Sequence, residues 1–99
     1  MRRNQFTVDA ESVQGNADAE VTFRCLKVRE VKEYRSTEMT DAELLARHVI
    51  AWSGIVDDEG NEYPSPVDEP GILGELYVHE QLELARLLFQ GPDGENAKN

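Results

Sequence analysis

The chain has 99 residues, 39% of them hydrophobic and 30% charged, with a formal net charge of −10 at pH 7. That length suits one domain with one modest core, and the strong negative charge argues against nucleic acid and anionic membrane surfaces, because both are gripped by Lys and Arg. The single cysteine, Cys25, excludes an intramolecular disulfide, and no apolar run approaches the ~20 residues needed to cross a bilayer.

Met1-Arg2-Arg3 is basic but is not followed by the apolar stretch of a signal peptide. Residues 1–18 are polar and read as a flexible N-terminal segment or first strand, with Gln5-Phe6-Thr7-Val8 as the strand and Gly15-Asn16-Ala17-Asp18 as a turn. In residues 20–26, Val21, Phe23 and Cys25 alternate with Thr22 and Arg24, the period of a strand, which pairs with residues 5–8 in a small hairpin. Such a hairpin is marginal in water and needs helices to pack on. The period then changes. Val28, Val31 and Tyr34 or Arg35 share a helical face over residues 27–36.

Thr40-Asp41-Ala42-Glu43 is a capping box, with the Thr40 hydroxyl placed to accept from the Glu43 N–H and the Glu43 carboxylate placed to reach back to Thr40. Leu45, Val49 and Trp52 follow at helical spacing, so the expected helix runs over residues 40–53 and stops at Gly54. Residues 57–69 form an acidic loop carrying Asp57, Asp58, Glu59, Glu62, Asp68 and Glu69 without one positive charge. Asp68-Glu69-Pro70 opens the last helix, in which Val78, Leu82, Ala85 and Phe89 mark the expected core face, flanked by Leu84, Leu87 and Leu88. Gly91-Pro92 ends it, and residues 92–99 have too few apolar groups to anchor them. The expected architecture is therefore mainly α with a small N-terminal β-hairpin (an α+β chain), with three to four short helices packed around one core. Its single globular domain spans residues 19–91, followed by a disordered tail at 92–99.

Few residues point to chemistry. Counted from Asp57, the acidic loop puts its glycine at the fourth position and Asp68 at the twelfth, which is not the spacing of a calcium-binding EF-hand. His79-Glu80-Gln81-Leu82-Glu83 lacks the second histidine of a zinc helix. Cys25 has no nucleophile signature around it, and Gly71-Ile72-Leu73-Gly74 lacks the lysine of a phosphate loop. The expectation is a protein without enzymatic activity, cofactor or metal. The one unusual feature is charge segregation. Arg24, Lys27, Arg29, Lys32 and Arg35 hold half of the ten positive charges, a layout suited to self-association or to docking on another protein.

The segment Trp52-Ser53-Gly54-Ile55-Val56-Asp57, continued by Gly60 and Pro64 between two helices, resembles tail assembly chaperones of long-tailed bacteriophages. Phe23-Arg24 and Val28-Arg29-Glu30-Val31 are similar to the strand-to-helix junction of that family, so the likeness covers roughly residues 20–90. Pro66, Pro70, Gly71 and Gly74 depart from it where family members often have a longer helix. The resemblance implies a small helical protein of the host cytoplasm that binds the tape measure protein, brings tail tube subunits to it, and is absent from the mature virion. It also implies a second, longer product made by a minus-one frameshift, for which Ala97-Lys98-Asn99 can carry the slippery codons. Trp52, Ile55 and Tyr63, with the cations Arg29, Lys32 and Arg35, are the expected partner-binding residues. The alternative readings are an acidic inhibitor that mimics DNA and a minor head–tail or virion component.

Overall fold

The computed structural model describes residues 3–98; the expectations that touch Met1, Arg2 and Asn99 lie outside the described residues. Four strands, β1 (Gln5–Asp9), β2 (Glu20–Arg24), β3 (Val49–Ser53) and β4 (Ala97–Lys98), form one antiparallel sheet in the order β3-β2-β1-β4. Its helices are α1 (Glu11–Gln14), α2 (Val28–Ser36), α3 (Asp41–His48) and α4 (Val78–Gln90), with a 3-10 turn over Pro70–Glu75. This corrects the expectation of a mainly helical chain with a small hairpin: the sheet is a full layer, and the fold is α+β.

The β1–β2 pairing is as the alternation requires, with Phe6 opposite Phe23 and Val8 opposite Val21. These four side chains are buried on one face, where they meet Leu44 and Leu45 of α3, Leu84, Leu87 and Leu88 of α4, and Leu73 of the 3-10 turn. The other face shows exposed or half-buried Gln5, Thr7, Thr22, Arg24, Ala51 and Ser53. Thr7 and Thr22 share a hydroxyl–hydroxyl bond of 2.8 Å across it. The sheet is therefore one-sided, as an antiparallel sheet with a single solvated face should be.

The helix expected over 40–53 stops at His48. Half of the capping box is present at its start: the Glu43 N–H donates to Thr40 Oγ1 at 3.1 Å, but the Glu43 carboxylate does not reach back to the Thr40 N–H. Thr40→Ala should lower stability by about 1 kcal/mol, read as a shift in the urea midpoint; an unchanged midpoint would show that this cap contributes nothing. Beyond His48, Val49 and Ile50 are β-branched, and the chain is extended from Val49 onward. Val49 lies opposite Phe23 and Trp52 opposite Val21, so β3 advances three residues while β2 advances two. The extra residue is a β-bulge. It turns Val49 and Trp52 to the same side at a spacing of three, which imitates helical periodicity.

The last helix is also shorter than expected. The 3-10 turn over Pro70–Glu75 comes first, Leu76 and Tyr77 are extended, and α4 begins at Val78, where the Tyr77 N–H donates to Glu80 Oε1 at 2.7 Å. Its buried residues are Glu80, Leu84, Ala85, Leu87 and Leu88. Of the expected core face only Ala85 is buried; Val78 is 76% exposed, Leu82 55% and Phe89 42%. Residues 92–98, expected as a disordered tail, return across the sheet. The Asp9 N–H donates to Asn96 O, Ala97 lies opposite Val8, and Lys98 pairs with Glu20 at 2.9 Å.

Candidate interaction surface

The segment that carries the family resemblance is built as a structural corner. Gly54 follows β3 with φ +76, and a Cβ there would lie 2.8 Å from Ala19 Cα, so only glycine fits. Ile55 is 0% exposed and sits in the core. The Gln14 side chain pairs with Val56 as a strand would, donating to its carbonyl at 2.8 Å and accepting from its N–H at 2.9 Å. Asp57 Oδ1 accepts from the Glu59 and Asn61 N–H groups, and the chain reverses through Gly60 before the Tyr63 N–H returns to Ile55 O. Trp52 Nε1 donates to Tyr63 O at 3.1 Å.

Of the expected partner-binding residues, Ile55 is thus corrected to a core residue, inaccessible to any partner. Trp52 and Tyr63 are brought together but half-buried, and the polar edge of the indole is already satisfied within the chain. Arg29, Lys32 and Arg35 are exposed on α2, away from the tryptophan corner in sequence and in hydrogen bonding.

A different group is accessible. Val78, Leu82 and Phe89 lie at i, i+4 and i+11 along α4, on the side turned from Leu84, Leu87 and Leu88. Phe89 meets the Tyr34 ring of α2 at 5.8 Å between centroids. Tyr77, also exposed, stacks on His79 and donates to Asp58 Oδ1 at 2.7 Å. Helix α4 is therefore apolar on two sides, one covering the sheet and one facing solvent. Its own residues carry the signal: Leu84, Leu87 and Leu88 flank the expected core stripe of Val78, Leu82, Ala85 and Phe89, and seven apolar residues around a 13-residue helix are more than one buried face requires.

Acidic groups surround the start of this stripe. Desolvation, and then the charges of Asp57, Asp58, Glu75 and Glu80, push the Tyr63 phenol above its ordinary range. The hydrogen bond to Asp58 does the same to Tyr77. The stripe thus has an apolar length and an acidic end.

Helix α2 is held differently from the others. None of its residues is buried. It is fastened by polar contacts: Tyr34 Oη donates to Asp41, Arg47 pairs with Glu33 at 3.2 Å, and Glu30 lies 3.2 Å from Nε2 of the buried His48, whose Nδ1 lies 2.8 Å from Leu44 O. Burial opposes ionisation of Glu30, but the Lys27 N–H and the His48 ring outweigh it and hold this carboxyl below its ordinary range.

No family model, curated protein or solved structure matches the chain. Among the described residues, no helix is long and apolar enough to cross a membrane.

Proposed function

We propose that the protein is a non-enzymatic tail assembly chaperone of a long-tailed phage, which holds an amphipathic helical segment of the tape measure protein along α4 and brings tail tube subunits to it in the host cytoplasm. The observation that supports this reading is the outward stripe of Val78, Leu82 and Phe89, extended by Tyr34, on a helix whose opposite side already fills the core. An exposed apolar row on a small domain marks a contact surface, and a helix laid along such a row is a recurrent mode of recognition. The acidic end of the stripe favours a segment with Lys or Arg beside its apolar face. Asp57 accepts the Glu59 and Asn61 N–H groups of the tight turn, and Glu62 accepts the Gly54 N–H where the chain leaves β3. The acids of that loop therefore follow the turn and not the regular spacing of phosphates, which weighs against a DNA mimic.

The test is co-expression with overlapping helical segments of the tape measure protein from the same genome. At least one segment should move from the insoluble to the soluble fraction and co-purify with this protein. Leu82→Asp with Phe89→Asp should abolish that rescue while leaving the circular dichroism spectrum intact. Aggregation of every segment, unchanged by the wild-type protein, would sink the reading, as would full rescue by the double variant.

A further inference from the structure

The positive charges of this acidic chain are divided in a way that folding alone does not require. Among the described residues, Arg47, Arg86 and Lys98 each hold a carboxylate: Glu33, Glu83 and Glu20. The other six, Arg3, Arg24, Lys27, Arg29, Lys32 and Arg35, hold none, although the chain has twenty acids. Four of these six, Arg3, Arg24, Lys27 and Arg29, line one cleft of about 790 Å³. Asn4, Gln5, Cys25, Leu26 and Ile50 complete its wall, and its single acid, Glu30, is already engaged by the Lys27 N–H and by His48. Unpaired cations gathered in one concave site make a strong local field for an anionic group.

The cleft lies at one end of the sheet, where Gln5 is opposite Arg24 and β3 begins. The acidic hairpin lies at the other end. Glu20 is opposite Ser53 there, and the chain leaves β3 through Gly54 into Asp57, Asp58, Glu59 and Glu62. Asp58, Glu59 and Glu62 are exposed, and the hairpin acids accept only neutral donors, so their charge is uncompensated. The turn is preorganised by the two N–H groups that Asp57 accepts and by Gly60, with φ +86. The two poles point away from each other, so the hairpin of one molecule cannot enter its own cleft.

We propose that the basic cleft binds the acidic hairpin of a second copy of this chain, so that molecules associate head to tail. A nucleic acid would meet the same cations, but a long polyanion would also face the remaining acidic surface, whereas a turn presents its charge at one point. A contact between opposite poles is heterologous: it leaves a free cleft and a free hairpin, and continues to a ring or an open chain instead of stopping at a two-fold dimer. This inference does not rest on the α4 stripe and stands or falls separately from it.

Sedimentation velocity of the full chain tests it at about 20 mM and about 500 mM salt, conditions that differ several-fold in screening length. At low salt the protein should form species larger than a dimer that grow with concentration, and at high salt it should be a monomer. Arg24→Glu with Arg29→Glu, and separately Asp58→Lys with Glu59→Lys, should each be monomeric at both salts. Mixing the two variants should restore association, because the hairpin of the first fits the cleft of the second; restored assembly also shows that both variants are folded. A wild-type monomer at low salt would overturn the proposal, and so would variants that stay monomeric when mixed. Association seen only after heparin is added would overturn it too, since the cleft would then take polyanions and not this hairpin.

Discussion

Gly54→Ala should be among the most damaging single-methyl changes in this protein. Two independent effects act at that position. The backbone has φ +76, a region that costs an L residue roughly 1–2 kcal/mol. The added Cβ would also stand 2.8 Å from Ala19 Cα, and both atoms belong to rigid backbone at a strand end, so overpacking adds roughly 1–3 kcal/mol. The sum, about 2–5 kcal/mol, is a large part of the 5–15 kcal/mol typical of a whole domain. Gly60→Ala separates the two effects. Its φ is +86, but nothing lies within 4 Å of its Cβ position, so only the backbone cost of roughly 1–2 kcal/mol should appear. Urea denaturation followed by circular dichroism checks both variants. Equal midpoints for the two would show that contact with Ala19 is not what demands glycine at position 54.

Leu87→Ala and Leu82→Ala should separate as widely as any pair on one helix. Leu87 is 0% exposed among the inward-facing leucines of α4, and its truncation leaves a cavity in the core, a loss of roughly 2–5 kcal/mol. Leu82 is 55% exposed, so its truncation should change stability by about 0.5 kcal/mol or less. A reading that places the core on the Val78, Leu82, Phe89 side requires the opposite order. Thermal or urea unfolding of the two variants decides between them, and a Leu82→Ala loss as large as that of Leu87→Ala would show that α4 is rotated from the orientation described.

How far each element was legible depends on how local its cause is. Strands β1 and β2 read directly from alternation, because their register is set by which side chains must be buried together. The start of α3 read from Thr40 and Glu43, which are three residues apart. The candidate site was less accessible. Trp52, Ile55 and Tyr63 drew notice as large apolar groups beside a glycine turn, but the features that single them out are those that build the corner: the indole bond to Tyr63 O, the burial of Ile55, and the Gln14 clamp on Val56. The outward stripe of α4 was visible as a row of apolar residues, yet its direction was not.

Neighbouring residues or plain composition were enough for the charge segregation, the β1–β2 pairing, the hydroxyl cap of α3, the ends of α2 and the C-terminal end of α4. The rest, including the start of α4, depends on long-range contacts. Val49 and Trp52 belong to a strand because β2 offered them a free edge and a bulge corrected their spacing, a long-range pairing that local periodicity cannot distinguish from a helix. Ala97 and Lys98 join the sheet because β1 presents its other edge to them, although they lack the apolar content to order themselves. Helix α4 has two faces with equal claims to burial by helical period alone. The one carrying Leu84, Leu87 and Leu88 faces inward because it joins the sheet side chains Phe6, Val8, Val21 and Phe23 in one core, and so the other face is left in solvent.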